Sequence, residues 1–177
     1  KDVLTTEVPL AEISLTGNPY YRYSGKYTNE ELEARLLEDT IIEFISYAMG
    51  CTFGRYSLDK PGLILANQGE TIKDYKRIID TEPPFSPTAT NVIPIVEGEW
   101  FADDAVSRFK QFLRVTFGEE NYAENMQFIE KALGKDLEKY FLRDFYKDHV
   151  QMYKKRPIYW LFSSPNGSFN ALIYMHR

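Results

Sequence analysis

The C-terminal sequence PIYWLFSSPNGSFNALIYM, residues 157–175, constrains the fold of this chain more than any other stretch. Two β-prone runs flank the dipeptide Asn166-Gly167, which supplies the positive φ angles that a tight primed turn needs. We therefore predict a β-hairpin over 157–175. Both runs are apolar at successive positions, so the hairpin has to be covered on each of its two faces. That requirement fits a fragment of a larger assembly.

Helical periodicity and helix punctuation dominate most of the remaining chain. Thr28 and Glu31 have the spacing of a capping box, and Asn121 and Glu124 repeat that spacing later in the chain. Glycines and a proline follow the apolar runs and mark their ends. The fold class predicted is mainly α (α+β), a helical domain with a C-terminal β-hairpin. The predicted helices cover 29–49, 103–117, 122–133 and 136–155, with a shorter one within 71–80.

The length of 177 residues fits one compact domain over 1–177. Turn formers are frequent in 1–27 and 82–99, which are predicted as loops, and the second segment is a candidate hinge or flexible segment. The chain begins with Lys1 and stops directly after an apolar run, so we expect a part cut from a longer protein. No apolar stretch reaches the ~20 residues needed to span a bilayer, and a cytoplasmic location is expected.

The tetrapeptide Asn-Pro-Tyr-Tyr at 18–21 resembles the Asn/Asp-Pro-Pro-Tyr/Phe loop of amino-methylating DNA methyltransferases, which hold a flipped-out base. The second proline is replaced, and the preceding residues are a poor match for the buried strand that delivers such a loop. The chain also lacks a glycine-rich strand-to-helix turn for S-adenosylmethionine. We therefore predict a turn at 18–21 and no catalytic residues. The two histidines, His149 and His176, lack metal-ligand spacing and are predicted to be structural.

Basic residues recur along the last predicted helix and continue beyond it. Those at 139, 143, 147 and 154 are separated by 4, 4 and 7 positions, so they share one helical face. No carboxylate occurs from His149 to the end of the chain. Such a stripe can lie along a phosphate backbone, and the alternative is an ordinary solvated face with Asp144 and Asp148 as neighbours. The candidate DNA-binding residues are Lys139, Arg143, Lys147, Lys154, Lys155 and Arg156.

Three long stretches, residues 47–75, 91–118 and 154–177, are similar to a known family. They begin YAMGCTFGRYSLD, NVIPIVEGEWFAD and KKRPIYWLFSSPN. In them the chain resembles a region C-terminal to the catalytic core of the PglX-like adenine-specific DNA methyltransferases of BREX phage-defence systems, and of related restriction-modification methyltransferases. The resemblance implies that the intact protein transfers a methyl group from S-adenosylmethionine to adenine N6. It also implies that this portion is inactive, because the family's cofactor motif and Asn-Pro-Pro-Tyr loop lie upstream.

Three functions remain open at the level of the sequence. The first is a non-catalytic DNA-recognition or DNA-clamping module of the N6-adenine methyltransferase. The second is a helical scaffold that links the methyltransferase core to a target-recognition domain or to partner proteins, and the third is an autonomous enzyme. The expected partners are double-stranded DNA bound through the longer protein, other domains of the same chain and other defence-system proteins, with no membrane. No cofactor is expected in this portion, whereas S-adenosylmethionine is expected in the longer protein.

Overall fold

The computed structural model describes residue 23 and residues 25–98, 100–166 and 169–175. This part of the chain forms six α-helices and three β-strands, which confirms the mainly α fold with a small C-terminal sheet. The chain divides into two compact units, Lys1–Ile41 and Ile42–Arg177. The elements are α1 (Asn29–Phe53), α2 (Ile72–Ile79), β1 (Val92–Ile95), α3 (Ala105–Phe117), α4 (Tyr122–Leu133), α5 (Leu137–Arg143), α6 (Phe145–Met152), β2 (Tyr159–Ser163) and β3 (Asn170–Tyr174).

Helix α1 begins at the first predicted capping box. The Thr28 amide donates to Oε2 of Glu31 at 2.7 Å, and the Glu31 amide donates back to Oγ1 of Thr28 at 3.3 Å. Two amides that a helix start leaves without partners are satisfied in this way. The Arg35 guanidinium, one and a half turns into the helix, lies 4.1 Å from the centre of the Tyr27 ring and makes a cation–π contact.

The predicted end of α1 at residue 49 is wrong, because the helix continues through Gly50 to Phe53. Because Gly50 has no side chain, the Tyr56 ring and the Tyr159 hydroxyl can lie close to the helix backbone. A β carbon at Gly50 would lie 2.6 Å from Cε2 of Tyr56 and 3.1 Å from the Tyr159 hydroxyl. The glycine that ends the helix is Gly54, whose φ of +79° is in the left-handed region.

Helices α2 and α3 both start at a side-chain cap. The Thr71 amide donates to Oδ2 of Asp74 at 2.9 Å, which confirms the short helix predicted within 71–80. The Asp104 carboxylate accepts from the Ser107 amide at 2.7 Å at the start of α3. Both helices therefore begin within two residues of the start that the sequence predicted.

The second predicted capping box, between Asn121 and Glu124, is wrong. A 3-10 turn, Glu119–Asn121, precedes α4, and Asn121 already has a helix-like φ of −96° and ψ of −3°. A capping side chain needs an extended backbone at its own residue, so Asn121 cannot serve. Its Nδ2 instead donates to the Phe117 carbonyl at 2.7 Å, at the end of α3. Helix α4 ends before Gly134, as predicted.

The C-terminal hairpin belongs to a three-stranded antiparallel sheet with the order β1-β3-β2. Strand β2 pairs with β3, with Tyr159 opposite Tyr174, which confirms the predicted hairpin. Strand β1 pairs with the other edge of β3, with Val92 opposite Ile173, so the predicted loop is wrong at this strand. Pro94 lies within β1 and is tolerated because an edge strand can lack one amide donor. Whether 82–99 is flexible stays a prediction.

Aromatic rings fix the sheet and α6 to α1 in the second unit. The Tyr159 ring stacks on Phe53 of α1 with a centroid distance of 4.9 Å and on His149 of α6 at 4.6 Å. Nη1 of Arg55 donates to the Tyr174 hydroxyl at 3.1 Å. The residues that follow α6 are therefore held beside the start of β2, and among them are the candidate residues Lys154, Lys155 and Arg156.

Several predicted features lie outside the described residues. They are the Asn-Pro-Tyr-Tyr turn at 18–21, Gly167 of the hairpin turn, and His176. Across the described ranges, no helix is long and apolar enough to cross a membrane.

Candidate nucleic-acid interface

The segment that carries the basic residues is divided, so the predicted single helix over 136–155 is wrong. Helix α5 ends at Arg143, α6 begins at Phe145, and Asp144 between them has a φ of −118° and a ψ of −33°. Asp is a poor residue for a helix interior, and the Asp144 carboxylate is held by Lys135 at 2.6 Å. Because α6 ends at Met152, the candidate residues occupy two helices and the turn after them rather than one helical face.

All six candidate residues are exposed in the structure. The single helical face predicted for Lys139, Arg143, Lys147 and Lys154 is not found, because the helix that would carry it is divided. Leu137, Tyr140, Phe141 and Phe145 of the same two helices are buried. Contact of these residues with DNA stays a prediction. A side chain that binds phosphate has to be exposed, but most exposed side chains do not bind phosphate.

The turn after α6 gives two lysines an unusual backbone. Lys154 and Lys155 have φ angles of +51° and +64°, in the left-handed region that glycine and asparagine occupy most easily. Their amides donate to the carbonyls of Gln151 at 3.0 Å and Val150 at 2.8 Å, which closes the C-terminal end of α6. A side chain other than glycine costs roughly 1–2 kcal/mol at each such position. The backbone by itself would favour glycine at both positions.

The carboxylates near the basic residues each have a local partner or a buried position. Asp136 caps α5 through the Lys139 amide and also pairs with Lys139 Nζ at 2.6 Å, so hydrogen bonding raises the pKa of Lys139. Asp144 pairs with Lys135, as described above. Asp148 is half-buried, and burial raises the pKa of its carboxyl group. Lys139 is thus paired with Asp136, and Asp144 is paired with Lys135.

A groove lies between α5, α6 and the sheet, beside two of the candidate residues. Its volume is about 190 Å³, and its lining combines two cations, two aromatic rings and an amide with aliphatic side chains. The sequence pattern did not predict it, because Leu161 and Asn170 belong to the hairpin and approach the helices only in the folded chain. The lining residues are Ile95, Phe141, Leu142, Arg143, Tyr146, Lys147, Leu161 and Asn170.

His149 has the structural role that the sequence predicted. Its Nε2 accepts from the amides of Ile158 at 3.1 Å and Tyr159 at 3.2 Å, so the neutral ring carries its proton on Nδ1. Burial, with Arg55 as the second cause, lowers the pKa of His149 to about 4. The ring therefore links α6 to β2 and fixes the turn that carries Lys154 and Lys155. In the described part of the chain, no group of three His, Cys, Asp or Glu residues could hold a metal ion.

Comparison with known proteins identifies the family. No family model matches the chain. In an alignment of 181 positions that covers 93% of the chain, the chain is 40% identical to the adenine-specific methyltransferase BrxX of Escherichia coli O9:H4 (strain HS). In an alignment of 145 positions that covers 76% of the chain, it is 45% identical to the adenine-specific methyltransferase PglX of Lacticaseibacillus casei (strain Zhang). These matches cover 15% and 12% of the two relatives, so the chain spans less than a sixth of their length. The chain therefore belongs to the BrxX and PglX family of adenine-specific methyltransferases and corresponds to one segment of them.

Proposed function

We propose that this chain is a non-catalytic DNA-recognition or DNA-clamping module of a BREX adenine-specific methyltransferase. The observation that carries the proposal is the pair of lysines at left-handed backbone positions, Lys154 and Lys155. Because the backbone would favour glycine at both positions, we infer that the two lysine side chains are there for their charge. Arg156 follows in the same exposed turn, and Arg143 and Lys147 are exposed on α5 and α6, where they line the groove. In this proposal these five cations contact the phosphate backbone.

Methyl transfer belongs, in this proposal, to other parts of the polypeptide. The relatives are named as adenine-specific methyltransferases, and we assign the same reaction, with S-adenosylmethionine as methyl donor, to the longer protein. The proposal that this portion holds no cofactor is supported by its antiparallel sheet, in which β2 pairs with β3, since the cofactor turn of such enzymes joins a strand of a parallel sheet to a helix. No residue of this chain is assigned to the cofactor. We place the protein in the cytoplasm with its DNA, where other defence-system proteins are candidate partners.

The test replaces the two lysines by glycine in the full-length methyltransferase. Lys154→Gly/Lys155→Gly removes two cations while giving the backbone the residue it prefers, so we expect folding stability to stay equal or rise. If each lysine neutralises one phosphate, the slope of log affinity for duplex DNA against log salt should flatten by about 1.8. The loss should be similar for all duplex sequences, because phosphate contacts position a protein without reading bases.

Two further variants serve as controls in the same salt series. Lys154→Arg/Lys155→Arg keeps both charges and should keep the slope. Lys73→Gln/Lys131→Gln removes two exposed cations from α2 and α4 and should leave the slope unchanged. If the glycine variant binds DNA with the parent affinity and slope, the cationic turn is an ordinary solvated surface. In that case the proposed DNA contact is wrong.

A further inference from the structure

The sheet has one face composed only of apolar side chains. The strand pairing places residues side by side in rows across the sheet. One row consists of Val92, Ile173 and Trp160, and the next row on the same face consists of Pro94, Ala171 and Phe162. Side chains alternate between the two faces of a strand, so residues in these rows point away from the Tyr159 side that packs on α1. We call this the outer face, and it consists of Val92, Pro94, Trp160, Phe162, Ala171 and Ile173.

The outer face is open to solvent at its largest side chains. Trp160 is 48% exposed and Phe162 is 56% exposed. The same alternation continues past both ends of β3, where Phe169 and Met175 are also exposed. An antiparallel sheet with one solvated face normally carries polar side chains there, and this sheet carries none at its six paired positions. Exposed apolar surface of this kind marks a docking site.

The composition of the outer face favours a protein occupant over nucleic acid. Trp160 and Phe162 could each stack on a base, and the cations at 154–156 precede them. The other four residues of the face are Val92, Pro94, Ala171 and Ile173, which have no aromatic ring to offer a base. Aliphatic side chains beside aromatic ones form the layer that a second sheet or a helix packs against.

The length of the related methyltransferases indicates which polypeptide supplies the element that covers the outer face. The match to BrxX takes up 93% of this chain but only 15% of the relative, which leaves about 85% of the relative's length outside the matched segment. A covering element from the same polypeptide docks at a high effective concentration. Such an element would also cover the second face of the hairpin, so that no separate partner protein is needed.

We propose that the outer face docks against another part of the same methyltransferase polypeptide, outside residues 1–177. The contact is an apolar layer centred on Trp160 and Phe162. It requires the family membership established above, and it does not depend on the proposed DNA contact, which uses the cationic turn and the groove.

Site-specific photocrosslinking in the full-length protein tests this docking. The photoreactive p-benzoylphenylalanine replaces Phe162 in one sample and Phe128 in a matched control, since Phe128 is similarly exposed, at 51%, on α4. After irradiation, with and without duplex DNA, the crosslinked peptides are identified by mass spectrometry. We expect Phe162, and not Phe128, to give an intramolecular crosslink to a peptide outside this segment in both conditions.

Every other outcome overturns the docking proposal. A crosslink from Phe162 to DNA would assign the face to nucleic acid while leaving the DNA-contact proposal standing. A crosslink to a second copy of the chain, or to a separate protein, would assign it to an intermolecular interface. Equal crosslinking from both positions, or none from Phe162, would show that the face has no specific cover.

A substitution in the same full-length protein gives a second, independent measurement. Phe162→Asp should open the docked interface, because burial of a Phe side chain corresponds to a roughly tenfold to hundredfold shift in a docking equilibrium. Limited proteolysis at the boundaries of the segment should speed up by a similar factor. Phe128→Asp should leave the cleavage rate unchanged. Equal cleavage rates in the Phe162→Asp variant and the parent would refute the docking.

Discussion

Substitution of Gly50 by alanine tests the tightest packing that the structure shows in the second unit. Gly50 is buried within α1, and a β carbon there would lie 2.6 Å from Cε2 of Tyr56 and closer still to its Cδ2. The Tyr56 ring stacks on Tyr47 at a centroid distance of 5.3 Å, so it cannot move away without losing that contact. The new methyl group would also lie 3.1 Å from the Tyr159 hydroxyl, which is fully buried.

Two effects of opposite sign decide the magnitude. Alanine is better than glycine in a helix interior by about 1 kcal/mol, which would stabilise the fold. Overpacking costs roughly 1–3 kcal/mol, and disturbing an aromatic pair costs about 0.5–1.5 kcal/mol more. We expect a net loss of about 2 kcal/mol. For a chain of this length that corresponds to a fall in Tm of about 4–8 °C.

Urea unfolding followed by far-UV circular dichroism measures this loss. A double-mutant cycle with Tyr56→Leu identifies its cause, because a shorter side chain makes room for the methyl group. Gly50→Ala should then become neutral or stabilising in the Tyr56→Leu background. If Gly50→Ala alone leaves the urea midpoint unchanged or raises it, the close approach at Gly50 does not limit the fold. A cycle with no coupling energy would contradict the role given to Tyr56.

Two further predictions concern buried titratable groups. Because the pKa of His149 is lowered from 6.5 to about 4, the folded state binds fewer protons than the unfolded state between these values. Stability should be full above about pH 6.5 and fall by roughly 3 kcal/mol as the pH approaches 4, and His149→Gln should flatten the urea midpoint between pH 7 and 5. Burial raises the pKa of Cys51, the only cysteine, to about 12, so a thiol reagent at pH 8 should label it only after unfolding. Stoichiometric labelling of the native chain would contradict its burial.

The elements that depend on local sequence signals were predicted well. The capping box at Thr28 depends on residues three positions apart, and the hairpin depends on two neighbouring runs, so both could be recognised without the rest of the chain. Asn121 shows the limit of this reasoning. Its spacing to Glu124 is that of a capping box, but the preceding 3-10 turn gives its backbone the wrong angles for one.

Non-local contacts explain the features that the sequence did not predict. Strand β1 contains Pro94 and only four residues, so its local signal is weak, and its pairing with β3 forms across about 80 residues of chain. The groove beside Arg143 and Lys147 has the same origin, because Asn170 reaches it from the hairpin. The division of the basic segment at Asp144 accompanies the ion pair with Lys135, which helical periodicity does not encode.

The sequence by itself determined the fold class and the family resemblance, because these follow from residue type and short-range spacing. The tertiary structure decided which side chains share a surface. It separated the cations into two helices and a left-handed turn, and it placed Trp160 and Phe162 together on one face of the sheet, where both are exposed. The physical reason is that a surface is assembled from elements distant along the chain, and packing rather than local propensity sets their relative positions.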